Sequence, residues 1–230
     1  MNKTMNEKRF PLLLVGYTVI FCAVWAVYTL LLKPIICGVL GEETLISSLV
    51  RSGVIKNLVW TLPAALLIAK YRNACMVSLK DMFVQRKKDW LSWLPVFLFF
   101  VIYILLGAWR THGGLGISDT FNTDDIVTVV FVGLTEELVF RGWLLNATYK
   151  ESDSQKRQYL AIGLNALLFL CIHFPIWIST GDFVTNFTSL GFVSILLLSV
   201  VFSLAFVKTK NIVIPIALHM FWDLLVFLFM

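Results

Sequence analysis

The chain has 230 residues, of which 59% are hydrophobic and 14% charged, and its formal net charge is +5. Soluble domains are nearer half apolar and a quarter charged, so this composition excludes an ordinary soluble protein and favours a polytopic helical membrane protein. The positive charge does not indicate a nucleic-acid partner, because the basic residues lie in short loops between apolar segments, where they report orientation.

Apolar segments follow one another along the chain, each near the roughly 20 residues that a membrane-spanning helix needs. We predict seven spans, at 11–32, 52–70, 92–109, 126–148, 159–179, 189–207 and 211–230. No long linker separates them, so residues 1–230 are predicted to form a single transmembrane domain. The first segment is too long for a secretory signal and lacks a small-residue cleavage site, which predicts a retained span.

Basic residues concentrate in every second loop. The loop at 70–90 has the most, and the next loop, 110–125, is acidic. Together with a basic tail that carries Lys3 and Lys8, this alternation predicts a cytoplasmic N-terminus by the positive-inside rule. The mixture of apolar and basic residues at 70–90 predicts either an interfacial amphipathic helix or a solvated loop. In the second span, we expect Lys56 to extend to the outer interface.

Away from their ends, three of the predicted spans contain ionisable side chains, which are costly in a bilayer and usually mark a site that faces protein or water. They are Glu136, Glu137 and Arg141 in the fourth span, His173 in the fifth, and His219 and Asp223 in the seventh. Glu137 and Arg141 are four residues apart, so we expect them to pair on one helix face. Glu136 lies about 100° further round the helix and points elsewhere. His219 and Asp223 are again four apart and are predicted to project together.

The predicted topology brings four of these groups to similar depths. At about 1.5 Å per residue, they lie roughly 18 Å (Glu136), 21 Å (His173), 12 Å (His219) and 18 Å (Asp223) from the cytoplasmic end. We therefore predict one cavity lined by all four. Such a cavity can activate water with a general base and hold an oxyanion, or it can bind a metal ion such as zinc. A proton relay in a transporter is a third interpretation, but the chain lacks the repeat symmetry that would favour it.

The signatures of other hydrolases are absent, since the sequence contains no HExxH helix and no GxSxG nucleophile elbow. The three motifs instead resemble those of the CPBP family of intramembrane proteases, also called the Abi family, which includes CAAX proteases and bacteriocin-processing enzymes. That family has Glu-Glu-x-x-x-Arg on one span, Phe-x-x-x-His on a later one and His-x-x-x-Asn or Asp on the last. Here the motifs occupy residues 136–141, 169–173 and 219–223. The resemblance covers 126–223, the predicted catalytic core, whereas the first three spans share only composition.

The resemblance implies an all-α transmembrane endopeptidase that cleaves peptides near their C-termini or processes small secreted peptides. By position, Glu136 and His173 would activate the attacking water. His219 and Asp223 would stabilise the tetrahedral oxyanion, and Glu137 and Arg141 would brace the site. An ionised Asp223 cannot donate a hydrogen bond, so it would be protonated, orient His219 or bind a metal.

Several alternatives remain open at this level. The family has been described both as glutamate-type and as metal-dependent, and the metal alternative has zinc ligated by Glu136, His173 and His219. A different class of function is a non-catalytic immunity or scaffold protein of the same fold that binds a peptide or protein partner. The expected location is a membrane, with a bacterial cell membrane as the specific hypothesis. The sequence indicates neither the substrate nor the oligomeric state.

Overall fold

The computed structural model describes residues 9–41 and 44–230, and this part of the chain contains helices and no strand. Its long helical segments are α1 (Arg9–Leu40), α2 (Leu45–Lys70), α3 (Lys87–His112), α4 (123–148), α5 (Gln155–Thr180), α6 (Gly191–Thr209) and α7 (Val213–Phe229). A short helix, Phe183–Thr188, precedes α6. The predicted all-α class is thereby confirmed. The predicted basic tail with Lys3 and Lys8 lies outside the described residues.

Within the described ranges, five helices are long and apolar enough to cross a membrane, namely α1, α2, α3, α5 and α6. The other two predicted spans differ in ways that follow from their sequences. Helix α7 is apolar but has only 17 residues, and α4 contains both the acidic pair and Arg141. The charged helix is nevertheless tolerated, because every residue from 135 to 147 is buried in the bundle and charges there face protein rather than lipid.

Five helices, α1 to α5, begin earlier than predicted, and in α2 and α4 a polar side chain caps the added residues. The hydroxyl of Thr44 accepts a hydrogen bond from the Ser47 backbone at the start of α2. Asn122 and Asp125 form a reciprocal capping box at the start of α4. Each cap satisfies backbone N–H groups that would otherwise lack partners, so the helix extends beyond the purely apolar segment.

The apolar side chains form two clusters, and α4 belongs to the first. That cluster gathers side chains from α1, α2, α4, α5, α6 and α7 around Trp60 and Trp143. The other joins α3, α6 and α7 around Phe100 and Phe202. Helix α4 packs against α2 on one side and α7 on the other, and α5 packs along α6. The polar middle of α4 therefore faces other helices from several directions.

The segment between α2 and α3 is a loop with one 3₁₀ turn at Asp81–Phe83, so the amphipathic-helix alternative is wrong. The loop is tied to the bundle. The Asn146 side chain bonds the backbone N–H and C=O of Val77, at 2.8 Å each. Met82 is fully buried, and its carbonyl accepts a hydrogen bond from the Ile212 backbone at 2.7 Å. The loop at 70–90 thus meets the C-terminal end of α4 and the loop before α7 at one end of the bundle.

Candidate active site

Glu136 forms a buried ion pair with Lys56 of α2. The Lys56 ammonium donates to Oε1 of Glu136 at 3.0 Å. Only 7% of Lys56 and 5% of Glu136 remain exposed. The prediction that Lys56 extends to the outer interface is therefore wrong. Lys56 pairs with a carboxylate on a neighbouring helix instead of extending to the interface, because a lysine inside an apolar bundle needs a partner for its charge.

Aromatic rings complete the surroundings of this ion pair. The Lys56 ammonium lies 5.0 Å from the centroid of the Trp25 ring and 4.8 Å from that of Trp60. At such distances the ring faces attract a cation and partly replace its lost hydration. Trp25 also donates its indole N–H to the carbonyl of Ile172 at 2.8 Å. Side chains from α1 and α2 therefore reach the motif-bearing helices α4 and α5.

A cavity of about 360 Å³ opens beside the ion pair. Glu136, His173 and Lys56 line it, together with apolar side chains such as Ile176 and polar ones such as Ser52. The second carboxylate oxygen of Glu136, Oε2, is buried and has no hydrogen-bond partner among the described residues. A buried carboxylate oxygen of this kind is costly unless something bonds to it, and a water molecule in the adjoining cavity can do so.

His173 lies at a break in α5, between the helical halves Gln155–Cys171 and Phe174–Thr180. Pro175 follows in the first turn of the second half, where a backbone N–H would have no partner within the helix and its absence costs nothing. At the break the His173 backbone N–H bonds the carbonyl of Leu170. This shift frees the carbonyl of Phe169, which lies 2.7 Å from Nδ1 of the His173 ring.

That contact decides the tautomer of His173. Because a carbonyl only accepts, Nδ1 carries the proton in a neutral ring, and Nε2 keeps its lone pair. His173 lines the same cavity as Glu136, and the two side chains interact electrostatically. The pair thus offers a carboxylate oxygen and an imidazole nitrogen as acceptors for a water molecule.

Glu137 forms a second buried network, separate from that of Glu136. Its Oε1 accepts from Arg141 at 2.8 Å, which is the ion pair expected from their spacing. The same oxygen lies 2.9 Å from Nδ1 of His219 on α7. Arg141 also donates to the hydroxyl of Ser199 at 2.6 Å and to its carbonyl at 2.9 Å. The network therefore joins α4, α6 and α7 at the centre of the bundle.

His219 is held on all sides. Its ring stacks on Phe202 with centroids 5.1 Å apart and meets the edge of Phe169 at 5.8 Å. Its Nε2 lies 3.4 Å from the Asp223 carboxylate, so the two side chains project together as predicted. Since Nδ1 donates to Glu137, only Nε2 is left to contact a substrate, and Asp223 lies beside that nitrogen.

The structure thus separates the four predicted site residues into two pairs. Glu136 and His173 line the cavity, whereas His219 and Asp223 are not among its lining residues. The prediction of one cavity lined by all four is wrong in this respect. That prediction was based on depth along the spans, and depth does not determine the direction of a side chain. His219 points to Glu137 and interacts with Glu136 electrostatically.

The side chains of the zinc alternative, Glu136, His173 and His219, have other partners in this structure. Within the described part of the chain, no three His, Cys, Asp or Glu side chains converge as a metal ion requires. His219 uses Nδ1 for Glu137 and directs Nε2 toward Asp223. An ammonium group already occupies one side of Glu136.

The motifs missed Lys56 and Trp25, because both precede the segment that carries the resemblance. A signal was present for Lys56, since a lysine inside an apolar segment marks a candidate site by the same argument that singled out Glu136. No comparable signal distinguished Trp25 or Ser199, because tryptophan and serine are common in membrane helices and at their ends.

Comparison with known proteins gives one match. Residues 123–225 match the family described as "Type II CAAX prenyl endopeptidase Rce1-like". The match contains all three motifs and confirms the family resemblance that they indicated. No curated protein and no solved structure shows a significant match to the chain.

Proposed function

The chain is an intramembrane peptidase of the CAAX protease type, and we propose that it hydrolyses its substrate with a water molecule activated by Glu136 and His173. The substrate is a membrane-associated or small secreted peptide or protein. The observation that supports this assignment best is the juxtaposition at the cavity. Glu136 lines it and has a carboxylate oxygen without a hydrogen-bond partner among the described residues, and His173 lines it with its Nδ1 already engaged.

In the proposed reaction, Oε2 of Glu136 accepts a proton from water while the water oxygen attacks the carbonyl carbon of the peptide bond. Nε2 of His173 accepts a hydrogen bond from the same water and orients it. The tetrahedral intermediate then collapses, the C–N bond breaks, and Glu136 returns the proton to the leaving nitrogen. General acid–base assistance of this kind typically contributes about 10²–10⁴-fold to a rate.

His219 and Asp223 have a more distant role in this proposal. His219 lies between the carboxylates of Glu137 and Asp223, and in this proposal its ring is an imidazolium with a proton on each nitrogen. Its Nε2 can then donate to the oxyanion, and Asp223 orients the ring rather than donating itself, because an ionised carboxylate only accepts. Glu137 and Arg141 hold His219 from the opposite side. Zinc held by Glu136, His173 and His219 stays an untested prediction, which the metal content of the purified protein measures.

We place this activity in a bacterial cell membrane, where leader peptides and small secreted peptides are the natural substrates. The support is the last motif, which has Asp223 where the eukaryotic prenyl-protein members carry Asn. Prenylated substrates stay an alternative, because the matching family is described as a prenyl endopeptidase.

The test is peptide cleavage by the purified protein in liposomes. Two internally quenched peptides share one apolar C-terminal sequence that contains cysteine, and only one of them carries a prenyl group on that cysteine. We expect the wild-type protein to cleave at least one peptide, and Glu136→Gln or His173→Ala to lower kcat at least about 100-fold. Glu151→Gln is the matched control, because Glu151 pairs with Lys210 at 3.0 Å on the exposed surface.

The results separate the proposal from its alternatives. Cleavage of only the unprenylated peptide supports a peptide-processing role, and cleavage of only the prenylated one supports the prenyl-protein role. Wild-type rates in both site variants would contradict the assignment of Glu136 and His173. Failure of the wild-type protein to cleave either peptide would contradict the substrate class proposed here.

A further inference from the structure

Lys56 contacts the proposed water-activating carboxylate although it lies outside the matched segment, on α2. We propose that Lys56 is a positioning residue for Glu136, and that the first two spans therefore complete the active site. This inference rests on the proposed function. Lys56 has its ammonium 3.0 Å from Oε1 of Glu136, is 93% buried, and lines the same cavity.

The two oxygens of the Glu136 carboxylate have different surroundings. Oε1 is fixed by Lys56, whereas Oε2 has no hydrogen-bond partner in the described chain. Fixing one oxygen sets the plane of the carboxylate and presents the other oxygen in a constant direction. Reaction rates are sensitive to such placement, and a displacement of about 1 Å can cost about 100-fold.

The ammonium of Lys56 is itself held in place from two sides. The rings of Trp25 on α1 and Trp60 on α2 lie within 5.0 Å of it. Trp25 also bonds the carbonyl of Ile172, the residue before His173. One tryptophan therefore contacts the lysine that holds Glu136 and supports the helix break that holds His173. Trp25 therefore helps to fix the position of Glu136 relative to His173, the two residues proposed to contact the water.

A purely structural ion pair is the competing explanation, and it makes a different prediction. If Lys56 only neutralises a buried charge, its loss lowers the amount of folded protein but leaves the turnover of the folded fraction unchanged. If Lys56 positions Glu136, the folded protein binds substrate normally and turns it over slowly. The ratio of the effects on kcat and KM distinguishes the two.

The experiment measures kcat and KM per folded molecule with the quenched peptide that the wild-type protein cleaves. We expect Lys56→Met to lower kcat at least about 10-fold and to change KM less than about threefold. Lys56→Arg keeps a charged donor and should retain at least about a third of wild-type kcat. Lys210→Met is the matched control, because it removes the exposed lysine that pairs with Glu151, and it should leave kcat unchanged.

A double variant tests whether Lys56 acts through Glu136. Lys56→Met should lower the residual rate of Glu136→Gln by less than about threefold, because residues that act as one unit do not have additive effects. If Lys56→Met fails to fold, Lys56→Gln replaces it, and kcat should fall in the order Lys, Arg, Gln.

Two outcomes have separate meanings. Folded Lys56→Met or Lys56→Gln protein with wild-type kcat would overturn the role of Lys56 while leaving that of Glu136 intact. Wild-type cleavage by Glu136→Gln would instead remove the proposed function itself, whatever the Lys56 variants do.

Discussion

Glu136 and Glu137 are neighbours in sequence but bond to different parts of the molecule. Glu136 pairs with Lys56 beside the cavity. Glu137 is fully buried and accepts from Arg141 and His219. Because successive helical residues point about 100° apart, one carboxylate can serve the chemistry while the other joins three helices. This division explains why two adjacent acids are tolerated inside an apolar bundle.

At this scale we predict a large loss of stability for Glu137→Gln. The change leaves the Arg141 guanidinium without its counter-charge, and breaking a buried pair in this way typically costs about 3–5 kcal/mol. Equilibrium unfolding in mixed detergent micelles measures the change. Asp153→Asn is the control, since Asp153 and Arg157 have the same spacing but form a loose surface pair at 3.8 Å. We expect that control to stay within about 0.5 kcal/mol of wild type, and equal losses in both variants would refute the bracing role.

Among the elements, α4 and α5 depart from regular α-helix where they carry the site. Helix α4 changes to π-helical geometry at Leu138–Leu145, directly after the two glutamates. Helix α5 is broken at His173. Such irregularities release backbone groups and redirect side chains, and they recur at functional sites. In α5 the released carbonyl of Phe169 orients the histidine ring, so the break is part of the site.

The close approach of α4 and α7 depends on Gly133. A Cβ at this position would lie 2.6 Å from Cγ of Met220 and 3.4 Å from its backbone nitrogen. We predict that Gly133→Ala destabilises the protein by about 1–3 kcal/mol through overpacking. It should also slow cleavage, because it separates Glu137 from His219.

The matched control for Gly133 is Gly163→Ala on α5, where an added Cβ has nothing within 4 Å. Alanine favours helix over glycine, so this variant should be as stable as wild type or more so. Unfolding in mixed micelles and the cleavage rate measure both variants. A Gly133→Ala protein with unchanged stability and rate would contradict the tight α4–α7 contact.

At the scale of the whole molecule, the loops gather at two ends. Asn146 bonds Val77, Asn211 donates to the Val84 carbonyl, and Lys210 pairs with Glu151, so three basic loops share one end. At the opposite end, the Ser118 backbone bonds the Leu228 carbonyl. This arrangement agrees with the alternation of charge along the sequence, which assigns the basic end to the cytoplasm.

Orientation in the membrane is tested by cysteine labelling. In a variant without native cysteines, we introduce Arg72→Cys in the basic loop or Asp119→Cys in the acidic loop, both exposed positions. A membrane-impermeant maleimide should label Asp119→Cys in intact cells and Arg72→Cys only after lysis. The reverse pattern would show that the N-terminus lies outside. Equal labelling of both positions in intact cells would contradict the predicted topology.

Composition and local spacing alone determined that this is an all-helical membrane protein, that Glu137 pairs with Arg141, and that His219 and Asp223 project together. Each of these depends on a single helix, whose geometry is known in advance. The tertiary structure alone decided that Lys56 turns inward to Glu136, that His219 binds Glu137, and that the cavity excludes His219 and Asp223. These contacts depend on how the helices are rotated and spaced, which many packing contacts, such as that of Gly133 with Met220, determine together. No short motif predicts the result, because the contacting residues are far apart in the chain.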